Sequence, residues 1–367
     1  MKYIEEFRNS EFAKVLIDAI KKEAMEKSYR FMEFCGGHTH AIHRYGLPSL
    51  LPAQIEMVHG PGCPVCVLPI SRIDQAIALA SISNVILCSY ADMLRVPGSN
   101  QQSLLQCKAN GADVRMLYSV DDALQVAKKN PHKEVIFFAI GFETTTAPTA
   151  FAILKAKKMG LSNFTVFCNH VLTPVAMDNL LHDSHTASSL TGFVGPAHVS
   201  IIIGSKAYEN VSKKYQKPVV IAGFEPLDVL HAILMLIRQM NEKRCEVEIQ
   251  YSRAVSLEGN FKSQQMIQEV FELRESFGWR GLGQIPESAW QIKTDYASFD
   301  AEKRFELPEI EGIEHKQCDC SAILKGLKKP VDCKLFAKAC TPQNPLGACM
   351  VSSEGACAAV YAYGRAL

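Results

Sequence analysis

At 367 residues, with 48% apolar and 21% charged side chains, the chain is too long for one ordinary core and reads as a globular protein of two or three domains. A formal net charge of +1 gives no electrostatic reason to expect nucleic acid or an anionic membrane as partner, and no apolar run is long enough to cross a bilayer. The charged start, Met1 to Arg8, lacks the apolar core of a signal peptide, so the expected compartment is the reducing cytoplasm, where thirteen cysteines read as metal ligands or redox pairs.

Residues 9–28 carry helical apolar spacing, with Phe12, Val15, Leu16 and Ile20 on one face. This helix is expected to pack on something distant in sequence, the C-terminal region. Short runs rich in Val, Ile and Phe follow at 54–58, 84–90, 113–119, 134–141, 164–170, 192–195 and 218–224. Between them lie amphipathic segments at 71–81, 101–110, 120–130, 145–159, 174–181 and 226–241. Buried strands alternating with helices imply an α/β fold of two Rossmann-like parallel-sheet domains. The polar break Asn130-Pro131-His132 divides them into 30–130 and 131–245. From 246 to 367 the texture changes: 247–255 reads as a strand, 259–277 as a helix and 279–286 as a loop, and six of the thirteen cysteines lie beyond Gln317.

The first α/β unit holds the densest chemistry. Between Phe31 and Pro69 stand three cysteines and four histidines, mostly in Cys35-Gly36-Gly37-His38-Thr39-His40 and His59-Gly60-Pro61-Gly62-Cys63-Pro64-Val65-Cys66. Cys63 and Cys66 can close a disulfide within one turn, or give half of a zinc site, although no second C-x-x-C supplies the other half. Cys35, His38 and His40 are candidate ligands at a helix start near Thr39, whose N–H groups can also hold an anion. Two histidines at i, i+2 do not share a helical face, so one of them points elsewhere. Both clusters fall where strands should end, the place where ligands sit in such sheets.

The tail thiols, Cys318, Cys320, Cys333, Cys340, Cys349 and Cys357, lack the C-x2-C spacing of ferredoxin-like and zinc-ribbon sites. Four thiolates on irregular loops can still hold a [4Fe–4S] cluster, with zinc as the plainer metal. Gly141-Phe142-Glu143-Thr144-Thr145 follows a strand but lacks the lysine of a P-loop. His170 and His198 stand at strand ends as hydrogen-bonding residues. Cys88, Cys107, Cys168 and Cys245 read as core filler.

In combination these motifs resemble the HypD family of hydrogenase maturation factors. The similarity extends through Gly195-Pro196-Ala197-His198-Val199, Trp279-Arg280-Gly281-Leu282-Gly283, Phe299-Asp300-Ala301-Glu302 and Cys349 to Gly355, and so covers the whole chain. His43, Tyr45 and Leu68 stand where the family would carry other residues. The resemblance implies a scaffold that assembles the Fe(CN)2CO unit of [NiFe]-hydrogenases with the small chaperone HypC. Cyanide would come from HypE as a thiocyanate, with HypF upstream and the hydrogenase large subunit as final recipient. It implies a C-terminal domain whose [4Fe–4S] ligands follow C-x14-C-x6-C-x16-C, here Cys318, Cys333, Cys340 and Cys357. Cys35 is then expected to hold the iron, His38 to act as donor or proton handler beside it, and Cys63 with Cys66 to be the redox couple. The competing readings are an iron–sulfur-dependent thiol–disulfide reductase and a structural zinc protein.

Overall fold

The computed structural model describes residues 5–24 and 27–364. Nine parallel strands form two sheets. The first five-stranded sheet has the order β2-β1-β7-β8-β9, built from β1 (Tyr29–Glu33), β2 (Ile55–His59), β7 (Gly192–Pro196), β8 (Val219–Ala222) and β9 (Val247–Ile249). The second has the order β4-β3-β5-β6, built from β3 (Val85–Tyr90), β4 (Asp113–Leu117), β5 (Glu134–Gly141) and β6 (Phe164–His170). Helices connect and cover the strands, so β6 and β7 are buried along their whole length, and continuous apolar runs replace polar–apolar alternation.

This topology corrects the boundary expected near residue 130. β3, on one side of that break, pairs with β5 on the other, through Val85–Glu134 to Cys88–Phe137. The first sheet instead takes β1 and β2 from before the second sheet and β7 to β9 from after it. The second sheet is thus an insertion within the first, and the polar break is only a turn within it.

The helix expected over 9–28 runs Ser10–Glu23, capped by Asn9; Met25 and Glu26 lie outside the described residues. It does not pack on the C-terminal region. Its Ile20, with Leu16 and Ile17, joins Val229, Leu230 and Ile233 of the helix Pro226–Asn241, because that helix presents apolar residues on more than one face. Strand β1 was not among the expected runs, and β9 covers only the first part of 247–255. The helix expected over 259–277 stops at Val270. Beyond it, Phe271–Leu273 pairs antiparallel with Trp290–Ile292, and Ser276–Trp279 pairs with Gly283–Pro286, so the expected loop 279–286 is the turn and return strand of a hairpin. Gly281 and Gly283, at φ +79, supply left-handed positions that a side chain would strain.

The C-terminal region is braced against the second sheet through a largely buried charge cluster. Glu302 Oε1 lies 2.8 Å from Arg72 Nη2 and also pairs with Arg274. Arg72 donates to the Cys168 carbonyl at 3.0 Å and stacks 4.0 Å from the Phe167 ring centroid. Beyond residue 317 the chain folds into short helical turns and loops, among them Cys320–Leu324 and Ala356–Tyr363. Among the described residues no helix is long and apolar enough to cross a membrane.

Candidate functional site

The two reactive motifs lie side by side because β1 and β2 are neighbours in register, Glu33 opposite His59. Each strand ends in its motif. The Cys63 turn, through Gly62, Pro64 and Val65, borders a cleft lined also by Tyr90 at the end of β3 and Asp92 beyond it, Gly141 at the end of β5 with Phe142, Thr144 and Thr145 beyond it, His198 after β7, and Ser352 to Glu354 of the tail. The C-terminal ends of both sheets therefore converge on one cleft, where parallel sheets place ligands.

Cys35 is the N-cap of the helix Gly36–Arg44, which begins three residues before the expected start at Thr39. Its Sγ accepts the Gly37 N–H at 3.4 Å and lies 3.7 Å from His198 Nδ1. Burial, and then the charge of Glu354, push the Cys35 thiol well up. His38 is fully buried; its Nε2 meets the carbonyls of Ala222 and Gly223 at 3.1 and 3.0 Å, and its Nδ1 has no partner. Phe224 contacts both imidazoles, at 4.6 Å from His38 and 5.1 Å from His198. The imidazole touching the thiol is therefore His198, which sequence reasoning treated as an ordinary strand-end residue. His40 turns away to the tail, with Nδ1 3.3 Å from the Ser353 carbonyl.

Glu33 was missed as well. It is fully buried and accepts the Cys35 N–H at 2.9 Å, the Thr39 hydroxyl and His59 Nδ1 at 2.7 Å. Burial raises its carboxyl against the pull of His59. The available signal was a lone acid inside the apolar run Phe31-Met32-Glu33-Phe34, directly before a cysteine.

Cys63 caps the short helix Pro64–Val67, its Sγ accepting the Cys66 N–H at 3.3 Å. Gly62 lets this turn lie against the Cys35 turn: a Cβ there would sit 2.2 Å from both Cys35 N and the Phe34 carbonyl carbon. Gly62→Ala should therefore lose about 1–3 kcal/mol of stability through backbone displacement. A chemical-denaturation midpoint equal to wild type would show that the turn yields freely.

Burial, and then hydrogen bonds to Cys349 and Cys63, push the Cys66 thiol well up. Cys349 moves the other way, drawn down by the neighbouring Cys320 and Cys66 thiols. Cys320 in turn neighbours Cys318. The described cysteines are all free, and a row of thiols runs from Cys63 through Cys66, Cys349 and Cys320 to Cys318.

That row ends at a small cavity of about 10 Å³, lined by the six tail cysteines with Ile323, Leu335, Phe336, Met350 and Gly347. No carboxylate or imidazole lines it. Soft donors in an apolar shell fit iron–sulfur chemistry or zinc far better than a hard cation. Among the described residues no three Cys, His, Asp or Glu side chains converge on one point as a single ion requires; the thiols surround a space instead. A Cβ on Gly347 would come within 2.6 Å of Cys318 Sγ, and the Leu346 N–H points at Cys340 Sγ from 3.4 Å. The residues present fit a sulfur-rich cluster. Cys88, Cys107 and Cys168 are buried, whereas Cys245 is partly exposed.

A sequence profile of the family described as "HypD: Hydrogenase formation hypA family" matches residues 11–364. The chain is 59% identical over 370 aligned positions to "Hydrogenase maturation factor HypD2" of Bradyrhizobium diazoefficiens, covering 100% of this chain and 97% of that protein. It is 59% identical over 369 positions to "Hydrogenase maturation factor HypD" of Azotobacter vinelandii, at the same coverage of 100% and 97%. The protein of that name from Escherichia coli is 44% identical over 369 positions, spanning 99% of this chain and 98% of that one.

Proposed function

The chain belongs to the HypD family of hydrogenase maturation factors, and from that premise we propose that it is the cytoplasmic scaffold on which the Fe(CN)2CO unit is assembled. A HypC-type chaperone shares the iron, HypE (fed by HypF) delivers cyanide as a protein thiocyanate, and the finished unit goes to the hydrogenase large subunit. Cys35 binds the iron as substrate, since a soft thiolate suits low-spin Fe(II) with strong-field ligands. Cys63 and Cys66 supply electrons. Cys318, Cys333, Cys340 and Cys357 hold a [4Fe–4S] cluster, which when bound supplies single electrons at low potential.

The supporting observation is that the cleft bordered by Gly62, Pro64 and Val65 of the C-x-x-C turn also holds His198, which touches Cys35 at 3.7 Å, while a row of thiols leads from the C-x-x-C pair to the six-cysteine cavity. Releasing cyanide from R–S–CN takes two electrons. The sulfur–carbon bond breaks, R–SH and HCN form, and the Cys63/Cys66 dithiol becomes a disulfide, its two protons going to the two products. A general thiol–disulfide reductase is the poorer reading, because the chain matches a family of hydrogenase maturation factors along nearly its whole length.

The test is infrared spectroscopy of the chain purified anaerobically with its chaperone partner from cells carrying the full maturation set. Bound CN and CO absorb in a window free of protein bands. The expected result is CN and CO bands in wild type and none in Cys35→Ala. A variant retaining them would remove Cys35 from the iron, and their absence from wild type would end the scaffold reading.

A further inference from the structure

We propose that Glu33 is a positioning residue that sets the Cys35 turn against the Cys63 turn, with His59 as its anchor. Glu33 closes β1, and its carboxylate gathers donors from three places. Oε2 takes the Cys35 N–H at 2.9 Å. Oε1 takes the Thr39 hydroxyl, one turn into the helix that Cys35 caps, and His59 Nδ1–H at 2.7 Å, from the end of β2. The backbone joins the same two turns: Gly60 N–H donates to the Glu33 carbonyl at 2.9 Å, and Gly36 N–H to the Gly62 carbonyl at 3.3 Å. One side chain thus ties the strand ends that carry the iron-binding thiol and the redox pair.

A carboxylate is an expensive choice here. Both faces of β1 are covered, so strand alternation provides no solvent side for it. Ordinary packing would favour an apolar residue, because a buried carboxylate is tolerated only when several donors replace its water. All three of its donors belong to the two reactive motifs, which places the role of this acid in the site and not in the sheet.

The geometry also separates positioning from proton relay. Because His59 Nδ1 donates to Glu33, its Nε2 is the acceptor and receives Nε2–H of His43 at 3.0 Å. That leaves His43 Nδ1 without a hydrogen, buried and with no partner. The hydrogen bonds between protein groups stop there, and that buried nitrogen has no protein partner to which a proton could pass.

The inference rests on Cys35 being the reactive thiol of the proposed function, but its test uses no iron. In the full-length protein, iodoacetamide labelling is followed by mass spectrometry at each cysteine. Cys35, 3% exposed, reacts only when its turn opens. Loss of charged hydrogen bonds in Glu33→Ala should speed its labelling roughly tenfold or more, while Cys88 and Cys168, in the second sheet, stay at wild-type rates and report that the fold is intact. Glu33→Gln keeps an oxygen for the Cys35 N–H but turns its NH2 toward His59 Nδ1–H, so its labelling should fall between wild type and Glu33→Ala; His43→Phe should leave labelling at the wild-type rate. A Cys35 rate unaltered in Glu33→Ala overturns the proposal. So does a Gln variant as fast as the Ala variant, or release of Cys35 by His43→Phe. Should Glu33→Ala expose Cys88 and Cys168 as well, His59→Phe decides: it leaves the carboxylate but removes its anchor, and unchanged Cys35 labelling there rejects the proposal. Missing infrared bands in the wild-type complex would end the scaffold reading while leaving this labelling result standing.

Discussion

Taking the iron-free protein from pH 7 to pH 5 should cost it much of its stability. Burial lowers His38, His170 and His198 from 6.5 to about 4 and His43 to about 3. These imidazoles stay neutral in the fold down to pH 4, whereas in the unfolded chain they protonate below 6.5. Between those limits the unfolded state holds more protons, so stability is full above 6.5 and is lost as pH falls toward 4. Glu143 works in the opposite sense: burial raises it from 4.5 to about 7, so the fold holds its proton across the same window. Glu33, raised for the same reason, also opposes. The four imidazoles outnumber the opposing carboxyls, so unfolding takes up protons on balance, and stability falls on the order of 1–3 kcal/mol per pH unit. Set against a stability of about 5–15 kcal/mol, two units of acidification are decisive. Circular dichroism at 25 °C should show the transition beginning near pH 6. Urea midpoints that do not move between pH 7 and pH 5 would mean that water reaches these imidazoles and that they titrate normally.

The same burial explains what could be read from the sequence and what could not. The strands were legible because parallel strands covered on both faces become runs such as Val135 to Ile140, all buried. Their pairing was not, since strands of two parallel sheets look alike and a crossover can return to either sheet. That is why a turn at Pro131 passed for a domain boundary. β1 was expected only as a strand ending before Cys35, without bounds, because Arg30 and Glu33 interrupt its run; both charges are satisfied by tertiary contacts, Glu33 by His59 and Arg30 by Glu56 at 2.9 Å. The helix over 259–277 was overextended because Phe271 fits a helical face as well as the strand it forms with Ile292. In the site, spacing revealed the cysteine and histidine motifs themselves. It gave no means of seeing that His198, 163 residues away, reaches Cys35, or that Cys349 touches Cys66. Cys320 and Cys349 were set aside as outside the ligand pattern, yet they are the two thiols that join the C-x-x-C pair to the cavity.

Replacing Cys349 with serine should leave the proposed cluster in place and disconnect it from the C-x-x-C pair. Its neighbours Cys320 and Cys66 draw the Cys349 thiol down, while burial and the neighbouring Cys349 hold Cys66 well up. Cys349 is therefore the thiol of the row best able to act as thiolate, and the thiolate is the attacking species in exchange. Once Cys63 and Cys66 have closed their disulfide, attack by Cys349 on Cys66 sulfur forms a mixed disulfide and frees Cys63. Cys320 then attacks Cys349, frees Cys66 and leaves a Cys320–Cys349 disulfide, so two electrons have moved one step toward the C-x-x-C pair. Two further electrons, which a bound cluster would supply singly, would reopen it. A serine hydroxyl cannot form either disulfide. In Cys349→Ser, iron and acid-labile sulfide should match wild type, since Cys318, Cys333, Cys340 and Cys357 are untouched. Re-reduction of the Cys63–Cys66 disulfide by a low-potential donor, followed by thiol trapping and mass spectrometry, should slow by roughly tenfold or more. Cys320→Ser should stall one step later and accumulate the mixed disulfide between Cys66 and Cys349. Wild-type re-reduction in Cys349→Ser would cut the row out of the electron path, and loss of iron in that variant would make Cys349 a ligand instead of a relay.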